Sequence, residues 1–409
     1  MRILFFASGF APHQFSENIV NSKLVLSFIN AGWKVDVISR PHDIAAYSSD
    51  WAKEWSALEP ITHEITYNKG SKTKRLFDSI YCSIVMGAPL EGVRWAKRAF
   101  DKAIELHQKN KYDLIMSRSP SDISHLPAYH FAKVSKLKWI ANWNDPAAHI
   151  WPKPYTKKLS ETKKKQYSKF LSKIINSTDM NTFPSSDLRD YYKKHCHIDQ
   201  SIIIPHIAYE KDNKIKIFKK QKFSMCHAGN LSSERNPEKL LQAISMFLSE
   251  NPHVEINVDF LGVKDTSLEL MVQKYSLQKT VRFLGSLPYN KAINTMSEYS
   301  VLMIIEADSE FGIYLPSKIT DYAQLSVPIF AITPEYSCVH KTLDTFGGGI
   351  VANCTSADSI SSGIKKLYDC WIADNNMNPY DSSKLYDCFS PSTIINQYKG
   401  LFTNLGYKI

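Results

Sequence analysis

Long apolar runs are missing from this 409-residue chain. None approaches the roughly 20 residues that span a bilayer, so no membrane span is expected. The opening "MRILFFASGF" has no extended apolar stretch followed by a small-residue cleavage site, and it does not read as a secretory leader. The seven cysteines are odd in number and lack CxxC spacing, which suits free thiols in a reducing compartment. A cytoplasmic location is the expectation. Glycine is scarce at 15 residues and no low-complexity tract occurs, which excludes fibrous and disordered classes. Neither GxGxxG nor a phosphate loop ending in Gly-Lys-Ser/Thr is present, which counts against a dehydrogenase or an NTPase. No Gly-x-Ser-x-Gly elbow supports a hydrolase triad. No Asp-x-Asp pair supports a metal bridging a diphosphate.

What is present is a globular composition, 44% hydrophobic and 22% charged, over a length that fits two domains of about 200 residues. The net charge of +10 favours an anionic partner: a nucleotide, a phospholipid surface or nucleic acid. Short apolar runs alternate with helical spacing from end to end. "RILFFAS" is followed by a helix with Ile19, Leu24, Leu26, Phe28 and Ile29 in phase, then by the strand "KVDVIS". The pattern returns in "YDLIMSRS", "DISHLPAYHFAKVS" and "KWIANW", and again in "FSMCHAG", "EKLLQAISMFLSE", "EINVDFLG", "YSVLMIIE" and "VPIFAI". Such alternation predicts α/β architecture with parallel sheets. A boundary falls near Pro205, where "SIIIPHIAYE" gives way to the basic connector "KDNKIKIFKKQK" and Phe223 starts a fresh strand. The expected domains are 1–205, completed by a C-terminal helix 390–409, and 206–389. They are expected to be two doubly wound domains facing each other across a cleft, with ligands outside the carboxyl ends of the strands.

Four stretches fall at such ends: "SGFAPHQFSEN", "NWNDPAAHIWP", "HAGNLSSERNPEKLLQA" and the run from Glu306 to Tyr322. Gly229, next to Asn230, lets backbone approach a ligand, and the helix starting near Pro237 offers free N–H groups and a positive dipole end. Arg235 precedes that helix with a planar fork suited to phosphate. Lys318 follows Ser317 in the first turn of another helix, where a cation is unfavourable without a nearby anion. Together they are what a diphosphate needs; the alternative is a pair of solvated surface residues. Asp321, one turn on, either accepts both hydroxyls of a ribose or forms an intrahelical salt bridge.

These residues resemble the GT-B glycosyltransferases, in particular the family-4 group of retaining enzymes and its relatives in bacterial surface-polysaccharide synthesis. "MRILFFASGFAPHQFSEN" resembles the first strand and phosphate-side loop of that group, and "WIANWNDP" the later part of its acceptor domain. "HAGNLSSERNPEKLLQAI" resembles the element that grips the donor diphosphate, and "LPSKITDYAQLSVPIFAI" is similar to its most specific signature. The resemblance implies two Rossmann-like domains and a sugar transferred from a UDP- or GDP-linked donor, without a cofactor or a metal. The acceptor it implies is a glycan or lipid-linked glycan in polysaccharide, lipopolysaccharide or capsule synthesis. It further implies that Arg235 and Lys318 hold the pyrophosphate and that Asp321 binds the ribose. The turn of Glu310, Phe311, Gly312 and Ile313 would contact sugar and phosphates through backbone N–H groups. Asp145 would sit near the reacting centre, with Gly9 and the loop to Glu17 over the phosphates. The chain departs from the group where two glutamates eight positions apart become Ile313 and Asp321, with Glu306 or Glu310 as substitutes. It departs again where a glycine pair becomes "APHQFSEN" and a histidine becomes Asn144-Asp145.

Rival readings are a related nucleotide-sugar isomerase or hydrolase, and a non-catalytic nucleic-acid-binding protein, for which dispersed lysines without aromatic motifs are weak support. The "HCH" at His195–His197 reads as a loop end, because no second ligand pair has metal spacing. Glu306, Asp308 and Glu310 read as a solvated loop. The segment 157–175 places Leu159, Tyr167, Phe170, Leu171, Ile174 and Ile175 near helical spacing among seven lysines. It reads as a helix on an anionic membrane surface or as one packed on the sheet with a lysine-rich solvent face. Phe77 and Tyr81 either line an acceptor site or fill a core.

Overall fold

The computed structural model describes residues 1–41, 53–67, 70–120, 122–211, 222–263, 266–373 and 378–408. The chain divides into two compact units. The first comprises 1–151, 156–207 and 391–409, and the second 152–155 and 208–390. The basic connector read at 211–222 lies, for residues 212–221, outside the described residues.

In the first unit the elements are β1 (Arg2–Ala7), α1 (Ser16–Asn30), β2 (Lys34–Ser39), β3 (Thr62–Glu64), α2 (Lys72–Met86), α3 (Val93–Asn110), β4 (Leu114–Arg118), α4 (His125–Ser135), β5 (Lys138–Asn142), α5 (Glu161–Ile175), β6 (Met180–Phe183), α6 (Ser186–Lys193) and β7 (Ser201–Ile203). The sheet runs β3-β2-β1-β4-β5-β6-β7, and its described pairings are all parallel. Ile3 pairs with Val35 on one side and Leu114 on the other. β1 is buried on both faces from Ile3 to Ala7, which is why it reads as a continuous apolar run.

In the second unit the order is β8 (Ser224–Ala228), α7 (Glu238–Glu250), β9 (Asn257–Leu261), α8 (Thr266–Lys274), β10 (Val281–Phe283), α9 (Tyr289–Met296), β11 (Val301–Ile305), α10 (Lys318–Leu325), β12 (Ile329–Thr333), α11 (Cys338–Phe346), β13 (Gly349–Asn353), α12 (Ala357–Ile372) and α13 (Ser383–Phe389). Its sheet runs β10-β9-β8-β11-β12-β13, again parallel. Phe223, Phe247, Met303, Phe330 and Ile364 anchor one continuous core. The last helix, α14 (Pro391–Asn404), belongs to the first unit. Tyr398 meets Phe28 of α1 edge-on at 5.0 Å and Phe402 meets Trp33 at 4.8 Å. Each such ring pair is worth about 0.5–1.5 kcal/mol beyond the area it buries.

Both sheets carry the doubly wound pattern predicted by the alternation of strands and helices. Local readings differ in three places. β5 stops at Asn142, although the Trp143 backbone N–H still donates to Thr182 O of β6. The helix read from Asp122 opens as a single 3₁₀ turn before α4. α1 buries Asn18, Asn21, Ser22 and Lys23, whereas Ile19, Leu26 and Ile29 are only half-buried. Its polar residues face inward because the loop after β1 needs hydrogen-bond partners there.

Candidate functional site

In the second unit the strand order reverses between β8 and β11, and a crevice opens beyond their carboxyl ends. His227, near the end of β8, is fully buried. Its Nδ1 lies 3.0 Å from the Met303 carbonyl oxygen. A carbonyl only accepts, so Nδ1 carries the proton and Nε2 presents a lone pair. Lys318, the first residue of α10, donates to that Nε2 at 3.3 Å. Gly229 permits the approach: its φ is +117°, and a Cβ there would lie 3.1 Å from Lys318 Nζ.

Burial and then the neighbouring Arg235 push the Lys318 ammonium down to about 7, against the pull of Glu306. Arg235 donates through Nε to the Tyr155 hydroxyl at 3.1 Å. Tyr155 sits in the short stretch 152–155 that leaves the first unit and joins the second. Glu306, the residue after β11, has its Oε2 buried without a hydrogen-bond partner. Burial pushes its carboxyl up to about 8, outweighing Arg235 and Lys318. A small cavity joins Tyr155, Arg235, Glu306, Ser309, Gly312 and Tyr314. A desolvated carboxyl, a desolvated lysine and the half-buried Arg235 thus share one strand-end crevice.

The other residues singled out in this unit fall around it. At Gly312 a Cβ would come 2.2 Å from Tyr336 O and 2.5 Å from Ser337 Cα, so only glycine fits. The Glu310 N–H donates to Lys153 O and the Ile313 N–H to Phe311 O, so those two amides are already engaged. Ile313 is buried and Glu310 is exposed; of the two substitute acids, it is Glu306 that adjoins the cations. Asn230 accepts the Val263 N–H at 2.8 Å and fixes the neighbouring loop. Ser317 accepts from the Thr320 N–H, and the Glu238 N–H is capped by Asn236, so both helix starts offer fewer open donors than their sequences imply. Asp321 accepts from the Tyr289 hydroxyl at 2.6 Å. A second cavity, of about 220 Å³, adjoins Gly229 and is lined by Ser233, Phe260, Val263, Met271 and Phe283.

The first unit has its own reversal, between β1 and β4. Asn18 Nδ2 donates to Phe10 O and Asn21 Nδ2 to Gly9 O, both at 2.8 Å, so the Gly9 loop is pinned to α1. A Cβ on Gly9 would lie 2.5 Å from Asn18 Oδ1. Arg118 is 4% exposed and donates to Asn21 Oδ1 at 2.6 Å and to Asn144 Oδ1 at 3.3 Å. Asn144 Nδ2 donates to Glu17 Oε2 at 2.9 Å. Burial and then the nearby Asp145 carboxylate push Glu17 up to about 8, opposed by Arg118 and Asn144. Asp145 accepts the Tyr192 hydroxyl on its carbonyl at 2.8 Å.

Gly9, Glu17 and Asp145 therefore gather in one unit, and Gly229, Asn230, Arg235, Glu310, Phe311, Gly312, Ile313, Ser317, Lys318 and Asp321 in the other. Arg118, Tyr155 and His227 escaped the sequence reading. Arg118 left a faint signal, a charge closing the apolar run "DLIMSR"; Tyr155 left none. Among the described residues no three His, Cys, Asp or Glu side chains are grouped to hold a metal. His197 pairs instead with Asp199 at the surface. The apolar residues Phe170, Leu171, Ile174 and Ile175 of α5 are buried, so that helix packs on its unit and turns its lysines to solvent. No described helix is long and apolar enough to cross a membrane.

Residues 209–383 match the family of Glycosyl transferases group 1. That match spans most of the second unit, including the crevice at its strand ends. The whole chain has the GT-B fold. It superposes on sucrose-phosphate synthase from Thermosynechococcus elongatus with a TM-score of 0.66 at 15% identity, covering 99% of this chain and 98% of that one. HepE from Anabaena, solved with UDP and glucose, gives 0.66 at 14% identity, covering 99% and 100%. The pneumococcal O-GlcNAc transferase GtfA, solved with UDP and GlcNAc, gives 0.65 at 12% identity, covering 100% and 99%. No curated protein matches the sequence.

Proposed function

We propose that the protein transfers a sugar from a nucleoside-diphosphate donor to a glycan or lipid-linked glycan acceptor, with retention at the anomeric carbon and without a bridging metal. The observation that carries this reading is the meeting of Arg235 and Lys318 beside Glu306 at the β8–β11 crevice. When the bond from the anomeric carbon to the diphosphate breaks, negative charge grows on the leaving oxygen. Two cations held in place by protein partners stabilise that charge without having to reorganise. Arg235 offers a planar fork, aligned by Tyr155, and Lys318 a point charge, aligned by His227.

The cavity of about 220 Å³ beside Gly229 is of a size and apolar lining to take the nucleoside, and Asp321 the ribose hydroxyls. In the first unit we assign Asp145 and the Glu17–Asn144–Arg118 network to sugar and acceptor. A surface-polysaccharide pathway and work at the cytoplasmic side of a membrane accord with such an acceptor. UDP is present with HepE and GtfA, so UDP-sugars head the test panel.

The test is thermal shift and calorimetry with UDP, GDP and their sugars, alongside a single-stranded oligonucleotide. One nucleoside diphosphate should stabilise the protein, and Arg235→Ala should weaken its binding by about 2–3 kcal/mol, roughly 30- to 150-fold. Unchanged affinity in that variant, or salt-sensitive binding of the oligonucleotide alone, would remove the reading. NMR of the product's anomeric configuration then decides retention.

A further inference from the structure

Phe77 and Tyr81, left open by sequence between core and acceptor site, are not in the core. α2 exposes Leu76, Phe77, Ile80, Tyr81, Ile84 and Val85 on one contiguous face, with Phe77 72% and Ile84 75% accessible. At 3.6 residues per turn these positions occupy half of the helix circumference. Scattered single apolar residues on a surface need no explanation, but a continuous face of this kind marks a docking surface.

The opposite face is the one that packs. Cys82 and Met86 are about 1% exposed, and Asp78 takes ion pairs from Arg94 at 2.5 Å and Arg98 at 2.9 Å, both on α3. Asp78 is the only acid in α2, so the exposed face carries no carboxylate. Cations flank it at both ends. Lys72, Lys74 and Arg75 are exposed in the first turn. At the other end, a Cβ on the capping Gly87 would lie 3.9 Å from Lys173 Nζ of α5. Lys173 and Lys133, both exposed, sit over the Tyr129 ring at 4.6 and 4.8 Å. The next residue, His130, bonds to Met86 O at 2.9 Å and ties this cluster to the end of α2.

We infer that α2 is an interfacial helix. It beds Leu76, Phe77, Ile80 and Ile84 among the acyl chains of an anionic bilayer, while the lysines and Arg75 meet lipid phosphates. Apolar area together with flanking cations is the combination that holds a helix in the plane of an anionic membrane surface. Tyr81, with an apolar ring and a polar tip, suits the headgroup level. α5, its own apolar residues buried, adds charge and not insertion. A second copy of the chain is a poorer occupant, because it would bring no carboxylate of α2 to receive these cations. The inference deepens the reading of a lipid-linked acceptor. It is tested with neither donor nor acceptor present, so its failure would leave the transferase reading standing.

The full chain is sedimented with vesicles of phosphatidylcholine and with vesicles that also contain phosphatidylglycerol. Binding to the anionic vesicles alone is expected. Phe77→Ser with Ile84→Ser, both exposed and so without effect on melting, should weaken partitioning by more than about tenfold. Lys72→Gln with Lys74→Gln and Arg75→Gln should weaken it roughly 100-fold at low salt, with the gap closing as salt is added. Hydrogen exchange of the unaltered protein should show protection of 72–86 on adding anionic vesicles. The inference is overturned by absent or charge-independent vesicle binding or by unchanged exchange. It is equally overturned if the serine variant binds as tightly as the parent, or abolishes a self-association that vesicles do not affect.

Discussion

Lys318 Nζ lies 3.3 Å from the unprotonated Nε2 of His227, which is buried, while the lysine is half-buried. Burial, Lys318 and Arg235 drive the imidazole well below its usual range, so it stays neutral and serves as a fixed acceptor. The lysine is held in place but poorly charged, at about 7. On the proposed reading, a bound diphosphate would supply the missing counter-charge and raise that value again. At pH 8, binding should therefore take up close to one proton, read by calorimetry in buffers of different ionisation enthalpy. Lys318→Met should reduce the uptake to the smaller part that Glu306 contributes. Proton-neutral binding at pH 8 by the unaltered protein would contradict this account.

Glu306 titrates the other way. Its carboxyl is pushed up to about 8, so it is protonated at pH 6 and ionised at pH 9, where its charge opposes an anionic ligand. Glu306→Gln keeps the shape and removes the ionisation. At pH 6 its affinity for UDP should stay within about threefold of the parent, since a neutral hydrogen-bonding group is retained. At pH 9 it should bind UDP more tightly than the parent. A variant that is weaker at both pH values would mean that the carboxylate itself holds the ligand.

In the first unit Glu17 supplies a stability test. Its folded value of about 8 lies above its ordinary 4.5, so the native state holds the proton more tightly than the unfolded chain. That contribution is fully present below about pH 4.5 and is lost as pH rises through 8. Glu17→Gln should flatten the decline of the melting temperature between pH 6 and 9. Parallel curves for parent and variant would show that the carboxyl is solvated.

Gly312 tests the turn that closes the small cavity. With Tyr336 O only 2.2 Å from where a methyl would be, Gly312→Ala must displace backbone. It should cost at least about 1–3 kcal/mol. Differential scanning calorimetry should show the change, and nucleotide affinity should fall with it. An unchanged melting profile would mean that the turn yields freely.

The sequence by itself determined a great deal. "ILFFA" and "VLMII" are apolar throughout because their strands lie in parallel sheets covered on both faces, and that pattern survives without any knowledge of packing. Gly229, Arg235 and Lys318 were also legible, since strand ends, helix starts and the residues beside them follow from local order along the chain. Tertiary structure alone decided what lies opposite each residue. Arg118 meets Asn21 across 97 positions, and Arg235 meets Tyr155 across 80. Periodicity pointed to Ile19, Leu24, Leu26, Phe28 and Ile29 as the inner face of α1; Leu24 and Phe28 are buried there, yet Asn18 and Asn21 also turn inward because two loop carbonyls need donors. The stripe on α2 shows the limit most plainly. A period of 3.6 reveals that Phe77 and Ile84 share a face, but whether water, protein or lipid covers that face depends on partners distant in sequence, and local pattern carries no record of them.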